Sequence, residues 1–516
     1  MHPALLIGEI QLCIFNQISE KYTLFALART CKAFTEAALD VLWRDSDSFV
    51  RLIQCMPQDL WTVERVGNSW GGLKHCTLKY SRRVRYIDEE SAIELDDTCI
   101  IALCSPSESA PTRLLRNLVS LKWEIKSDAR FRCLQQLLSP SLISLELFFT
   151  FDYQPSQELE SPSQISFEIC PSLKYLTVSD DYCLPPHALE GLRRSISQLQ
   201  NLHVISWNCL GSEAILSLAQ LPTLTSAAFE IPSDFSTYVA ALPSRSLMLE
   251  PPFSRVRELG VTYRNLASVP AFWNYFNVGS EKIRLLSLGR NPSQPTAVRD
   301  LMSALGSSCS RDALGDLAVY NYSQDLREAH PLGIRELRPL LKFHRIRSLL
   351  LELRDCLIVI DDATLLEMVD AWPNISTLFL NKYGLWEPAS HATPSGLIGL
   401  LERCTKLKRL SLPVDFSTID SADFDLSTFS HSRDVGAQLE GFDLGPFNIE
   451  HPPAIAQFLA HIVPNCVKVS MMWPPAAPND ARIYEQRWSE VERIYRTYRP
   501  FSPQPLKVTF VPGLDI

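Results

Sequence analysis

Metal-binding and redox cysteine patterns are missing from this chain. Its 14 cysteines are scattered over 516 residues, none forms a C-x-x-C pair, and none sits near histidine at zinc-ligand spacing. Several, such as Cys13, Cys31, Cys170 and Cys466, lie in apolar stretches, as reduced, buried thiols do. No run approaches the roughly 18 uninterrupted apolar residues of a membrane span. The opening MHPALLIGEIQLCIF lacks the basic region and small-residue cleavage site of a signal peptide, and Glu9 interrupts its apolar run. These absences predict a soluble protein of the cytoplasm or nucleus, with idle sequons at Asn321 and Asn374.

Positive charge is also short. A net charge of −9 and a pI near 5.7 exclude a general phosphate-backbone binder, which needs a basic face. The cluster Arg82, Arg83 and Arg85 is followed at once by Asp88, Glu89, Glu90, Glu94, Asp96 and Asp97, which reads as a solvated, self-compensating loop. Catalytic signatures are sparse: there is no G-x-x-x-x-G-K-[ST] loop and no H-E-x-x-H, and the ten histidines are dispersed. Gly67-Asn68-Ser69-Trp70-Gly71 fits G-x-S-x-G, but that elbow needs a strand before it and a helix after it. Here a polar linker precedes and strand-like sequence follows. The expectation is a chain without an active site, metal or cofactor.

What is present is apolar material in two grammars. Hydrophobic residues are 46% of the chain and charged residues 21%, enough to bury a large core. The first 45 residues read as three short amphipathic helices. Leu6, Ile7, Ile10, Ile14 and Ile18 step along the first; Leu24, Leu27, Ala28 and Cys31 along the second, with Thr23 as N-cap; Ala38, Leu39 and Leu42 along the third. Helices this short need cover from elsewhere.

From residue 73 a triplet with the offsets of L-x-x-L-x-L recurs. It begins Leu73/Cys76/Leu78, Leu118/Leu121/Trp123 and Leu142/Leu145/Leu147, and its later members include Ile283/Leu286/Leu288 and Cys466/Val469/Met471. Between 118 and 466 twelve steps average 29 residues, at the long end of the leucine-rich-repeat range. One triplet arises easily by chance, so the weight lies elsewhere. The spacing is near-regular, polar preambles (CPSL, LQNL, LPTL, WPNI, CTKL, VPNC) precede the triplets, and helical patterns fill the gaps, as at 211–221, 363–371 and 454–463. Strand, turn, helix and return predict a parallel sheet with helices behind it. Asn291 fills the repeat's structural asparagine slot, and most units leave it empty.

Residues 5–44 resemble the F-box family. Leu6, Glu9, Ile10, Ile14 and Phe15 match its opening; Leu24 and Leu27 its middle; Cys31, Lys32 and Phe34 its centre; Leu42 and Trp43 its close. Ile7 stands where the family usually has proline. With the repeats behind it, this is the layout of F-box proteins with leucine-rich repeats, a layout also found in large fungal families. The resemblance implies an α/β chain: a three-helix F-box over 1–45, a linker over 46–71, an irregular leucine-rich-repeat horseshoe over 72–475 with an insertion at 81–115, and a capping helix with an extended tail over 476–516. It implies docking on a Skp-type adaptor, and through it a cullin scaffold, by Leu6, Ile7, Glu9, Ile10, Ile14, Phe15, Leu24, Leu27, Cys31, Phe34, Leu42 and Trp43.

The residues beside the triplets point out of the sheet and are expected to face a client protein. They are Lys122, Glu124, Glu146, Phe148, Tyr175, Asn208, Leu285, Leu350, Glu352, Phe379, Asn381, Arg409 and Asp443. The expected function is substrate recognition in a ubiquitin ligase, with neither nucleic acid nor membrane as partner. A repeat scaffold whose first helices merely cap the array, and a hydrolase using Ser69, remain the alternatives.

Overall fold

The computed structural model describes residues 2–46, 49–55, 62–63, 69–71, 80–88, 94–95, 97, 99, 115–150, 167–179, 190–241, 252–276, 278–288, 295–321, 330–353, 356–381, 391–432, 434–443, 449–464, 468–472, 481–498 and 507–511. Contacts divide the chain into two compact units, Met1–Phe229 and Glu230–Ile516.

In the first unit a 3-10 turn, Pro3–Leu6, leads into α1 (Gly8–Phe15), α2 (Lys21–Thr30) and α3 (Lys32–Arg44). α3 runs straight into β1 (Asp45–Ser46), which pairs in parallel with β2 (Tyr86–Asp88). Then come β3 (Ser120–Ile125), β4 (Ser144–Phe149), β5 (Tyr175–Ser179), β6 (Val204–Trp207) and β7 (Ser226–Glu230), each parallel to the one before. Strand order is chain order, and the ladder stays open. The reason lies in alternation. Leu121, Trp123 and Ile125, then Leu145, Leu147 and Phe149, are buried, while the residues between them are half-exposed. A parallel neighbour can be reached only by a crossover, here helices such as Asp128–Leu137 and Ser212–Ala219.

The second unit repeats the plan. β8 (Glu258–Tyr263), β9 (Lys282–Ser287), β10 (Asp316–Asn321), β11 (Ser348–Leu353), β12 (Thr377–Leu380), β13 (Arg409–Ser411), β14 (Gly441–Asp443), β15 (Lys468–Met472) and β16 (Lys507–Val511) pair in parallel and in order. Helices Pro295–Ser308, Asp362–Ala371, Pro394–Arg403 and Pro452–Ile462 carry the chain back. Large side chains from them, such as Met302, Met368, Leu401 and Phe458, are buried together with the inward strand residues.

Successive turns are pegged by hydroxyls. Ser141 Oγ donates to Leu118 O at 2.9 Å, Thr223 Oγ1 to Leu202 O at 2.8 Å and Ser280 Oγ to Val256 O at 2.7 Å. Thr223 belongs to the LPTL preamble, so part of that polar signal has a bonding role. Turns are also locked at helix starts. Asp362 accepts from the backbone N–H of Thr393 at 2.7 Å and from its hydroxyl at 2.6 Å. A Cβ on Gly396 would come within 2.0 Å of the Asp362 carboxylate, so this close approach requires glycine.

Several expectations change. Tyr86–Asp88 is a strand inside the segment read as an insertion, and Arg83 is not a loop cation: it bridges Glu36 and Asp40 on α3. At β9 the triplet lies three residues earlier, as Ser280/Ile283/Leu285, because Ile283 pairs with Leu259 and serine occupies the first slot. The helix Ala481–Tyr498 does not end the array. It is another crossover, since Lys507–Val511 pairs with Lys468–Met472, and Tyr495 Oη donates to Val463 O at 2.6 Å. Glu20, not Thr23, is the N-cap position of α2. The triplet at 73–78 and Asn291 lie outside the described residues.

The structural asparagine role falls to Asn381. It is 1% exposed with φ of 52°, its Oδ1 accepts from Leu353 N at 2.6 Å, and its Nδ2 donates to Cys356 O at 2.5 Å. Asparagine tolerates that backbone better than most residues. Asn381→Ala strands two buried backbone groups and is expected to cost about 2–4 kcal/mol in urea unfolding. A second expectation concerns pH. Thr364, through its hydroxyl and its backbone N–H, holds the Asp361 carboxyl below the usual carboxylate range while capping Asp362–Ala371. A depressed folded pKa gives stability that is complete above the unfolded value of about 3.9 and is lost as pH falls through the folded one. Asp361→Ala should therefore cost about 1 kcal/mol at neutral pH, with the gap to the parent narrowing in acid below about pH 4.

Candidate functional site

Two surfaces carry the side chains that composition and pattern single out. The first is on the helical module. Its interior is complete in itself: Phe15, Leu24, Ala37, Ala38 and Val41 form the centre, with Leu12, Ile18, Leu27, Ala28, Phe34 and Leu42 packed around them. Phe15 meets Phe34 edge-on at 5.5 Å between centroids. Gln11 is buried and donates to Leu5 O at 2.6 Å, tying the opening turn to α1. Thr35 Oγ1 donates to Ala28 O at 2.9 Å across α2 and α3.

That core leaves apolar residues in water. Leu6 is 60% exposed and Ile14 44%, and Ile7 and Ile10 are exposed as well. The i, i+4 spacing puts Ile10 and Ile14 on one face of α1, while Leu6 and Ile7 stand in the turn and cap that precede it. On α2, Tyr22 is 83% exposed, and Phe25 is exposed with the Arg29 guanidinium 5.4 Å from its ring. The expected docking residues therefore separate. Leu6, Ile7, Glu9, Ile10 and Ile14 face solvent; Leu27, Cys31, Phe34, Leu42 and Trp43 are half-buried; Phe15 and Leu24 are interior. Phe15 and Leu24 have already left water in the free protein, so they hold the module together and offer no docking area. Trp43 stacks on Tyr80 with centroids 4.7 Å apart, on the side that joins the sheet. Tyr22 and Phe25 were missed: the apolar step along α2 was read from its inward residues.

The second surface is the side of each sheet that faces away from the helices. Parallel register places residues in rows across the strands. In the first unit Asp88, Lys122 and Glu146 are successive partners, and Lys122 lies 3.3 Å from Asp88. Glu124 pairs with Phe148 one row on, Lys122 Nζ is 5.5 Å from the Phe148 ring centroid, and Tyr175 is the exposed partner of Ser144. Asn208 is half-buried just past β6. In the second unit Leu350 and Phe379 are direct partners, both half-exposed, and Arg409 is exposed beside Thr377.

Four expected client residues are buried. Leu285 is fully buried, because the three-residue shift at β9 exchanges it with Leu286. Asn381 turns inward to bond backbone, as above. Glu352 and Asp443 lie in outward register, opposite Tyr320 and Ser411, yet are only 3% and 7% exposed. The rows add Arg284, Leu286 and Tyr320 to the outward side, legible from alternation once Ile283 is placed correctly.

Other readings find less geometry. Ser69 lies within a short strand, Ser69–Gly71, paired with Thr62–Val63 and Glu94–Leu95, not on a strand-to-helix elbow. Burial pushes the thiols of Cys309 and Cys404 up to about 12 and about 11, which makes them poor nucleophiles. Among the described residues no three His, Cys, Asp or Glu side chains group to hold a metal, and no helix is long and apolar enough to cross a membrane. The chain matches no known family model and no curated protein.

Adjacent residues on α1 give a direct test of inside and outside. Ile14→Asp should change stability by no more than about 0.5 kcal/mol, whereas Phe15→Asp, which buries a charge, should cost more than about 4 kcal/mol or unfold the module. Thermal denaturation with limited proteolysis at residues 1–46 reads the difference.

Proposed function

We propose that the chain is a substrate-receptor subunit of an SCF-type ubiquitin ligase. The helical module docks on a Skp-type adaptor, which joins it to a cullin scaffold, and the outward rows of the sheets hold a client protein. One observation carries the reading: a module whose own core is finished still presents Leu6, Ile7, Ile10 and Ile14 to water along α1 and the turn before it. Covering what is still exposed of each contributes roughly half of the 1.5–3 kcal/mol of a full burial, before the costs of association. The resemblance of the residue order from Leu6 to Trp43 to the F-box pattern supports this kind of partner.

In this role the chain is non-catalytic. It acts by proximity, raising the effective concentration of a client lysine near a charged conjugating enzyme. Each unit by itself offers a surface of mixed character: the Asp88, Lys122 and Glu146 row with Phe148 and Tyr175 in the first, and Leu350, Phe379 and Arg409 in the second. Aromatic and arginine side chains are the usual anchors of such contacts. The setting is the cytoplasm or nucleus.

A second reading also has an observation in its favour. α3 continues into β1, Trp43 stacks on Tyr80, and Arg83 bridges Glu36 and Asp40, so the module also caps the array. A scaffold that binds its client without ubiquitin transfer would need only that. The two separate on a pull-down. The chain should co-purify with a Skp-type adaptor, and Ile10→Asp combined with Ile14→Asp should abolish capture while circular dichroism stays unchanged. Undiminished capture, or none by the parent chain, would favour the scaffold.

A further inference from the structure

The second unit contains a groove edged by charged side chains that neither docking surface uses. It is a cavity of about 580 Å3 lined by Glu281, Asp312, Arg345, Arg347, Asn374 and Lys406, among others. These residues come from successive turns just ahead of β9 to β13, where the chain enters the sheet. Their backbones serve the ladder, as when Arg347 O accepts from Ser376 N at 2.7 Å, so their side chains are left to fan into the groove.

The charges there are not matched. Elsewhere in this unit cations find carboxylates: Arg403 with Asp370 at 2.7 Å, Lys408 with Glu440 at 2.9 Å, Arg338 with Glu367 at 3.4 Å. Among the described residues Arg345 and Arg347 form no ion pair, and Lys406 meets only the Asn374 amide oxygen, at 2.8 Å. Arg311 and Lys342 stand next to the lining in sequence. Burial, then the Arg311 charge, lowers the Lys342 ammonium below its ordinary range. The nearby Cys309 thiol gives no counter-charge at neutral pH, being raised to about 12. A chain of net charge −9 thus concentrates cations at one place where an anion would relieve their repulsion.

We propose that this groove binds a phosphorylated small molecule, with its phosphate on Arg345, Arg347 and Lys406 and its hydroxyl groups on Glu281 and Asp312. Guanidinium forks suit phosphate oxygens. The two carboxylates accept from hydroxyls and repel a second anionic group, which selects a ligand charged at one end. The volume suits a sugar phosphate or a mononucleotide.

Calorimetry on the full chain tests this with ribose 5-phosphate and adenosine monophosphate, against ribose and adenosine. At least one phosphate ester should bind saturably with Kd of about 1 mM or tighter, weakening as salt rises, while the uncharged compounds do not bind. Arg345→Glu with Arg347→Glu should weaken binding at least about tenfold. Arg403→Glu, which disturbs a matched pair outside the groove, should leave it unchanged. No saturable binding of either ester at about 10 mM, or equal binding by the double variant, overturns the proposal.

Discussion

Parallel strands cannot be joined by a tight turn, and this constraint governs most of the molecule. Each strand must be followed by a crossover long enough to return the chain to the same end of the sheet. With strand order equal to chain order within each unit's ladder, the described strands there pair with the strands just before and just after them. Turns therefore stand or fall with their neighbours. The inter-turn pegs, Ser141 to Leu118, Thr223 to Leu202 and Ser280 to Val256, and the Asp362 to Thr393 lock, all act between consecutive turns. The same constraint creates the outward rows and the groove, because regular register brings equivalent positions of successive turns side by side.

Much of this was legible because apolar offsets are what the ladder demands. Where leucine, isoleucine or tryptophan fills the slots, as at Leu118/Leu121/Trp123 or Ile375/Leu378/Leu380, every triplet member is buried. Legibility failed where another interaction replaced apolar contact. Ser280 occupies an apolar slot because its hydroxyl has a carbonyl to bond, and the pattern was then read three residues late, which cost Leu285 its correct side. Tyr86–Asp88 was missed because a strand of three residues supplies too few positions to show a period, and its charged surroundings suggested solvent. The last crossover was taken for an end because proline-rich sequence follows Met472.

Polar residues on strands posed a different difficulty. Alternation says which side of a sheet a residue occupies and nothing about how deeply it is covered. Glu352 and Asp443 keep the outward register and are still buried, and Asn381 leaves the register by adopting a left-handed backbone. Both outcomes depend on neighbours 25 or more residues away, such as Leu353 and Cys356 for Asn381. Local sequence does not encode that distance. Helix periodicity has the same limit. It found the three helices, but Ile14 and Phe15 are consecutive in sequence and opposite in burial.

The balance between docking and capping turns on which helix does what. Attachment to the sheet runs through α3 and its continuation: Trp43 on Tyr80, Glu36 and Asp40 on Arg83, β1 on β2. A cap needs those contacts and nothing more. It places no demand on the outer side of α1, where polar residues would avoid the cost of apolar surface in water, about 25 cal/mol per Å2. Leu6, Ile7, Ile10 and Ile14 stand there nonetheless, next to an interior that Phe15 and Leu24 already fill. Capping accounts for the third helix and leaves the exposed side of the first without a role; the adaptor proposed above would cover it.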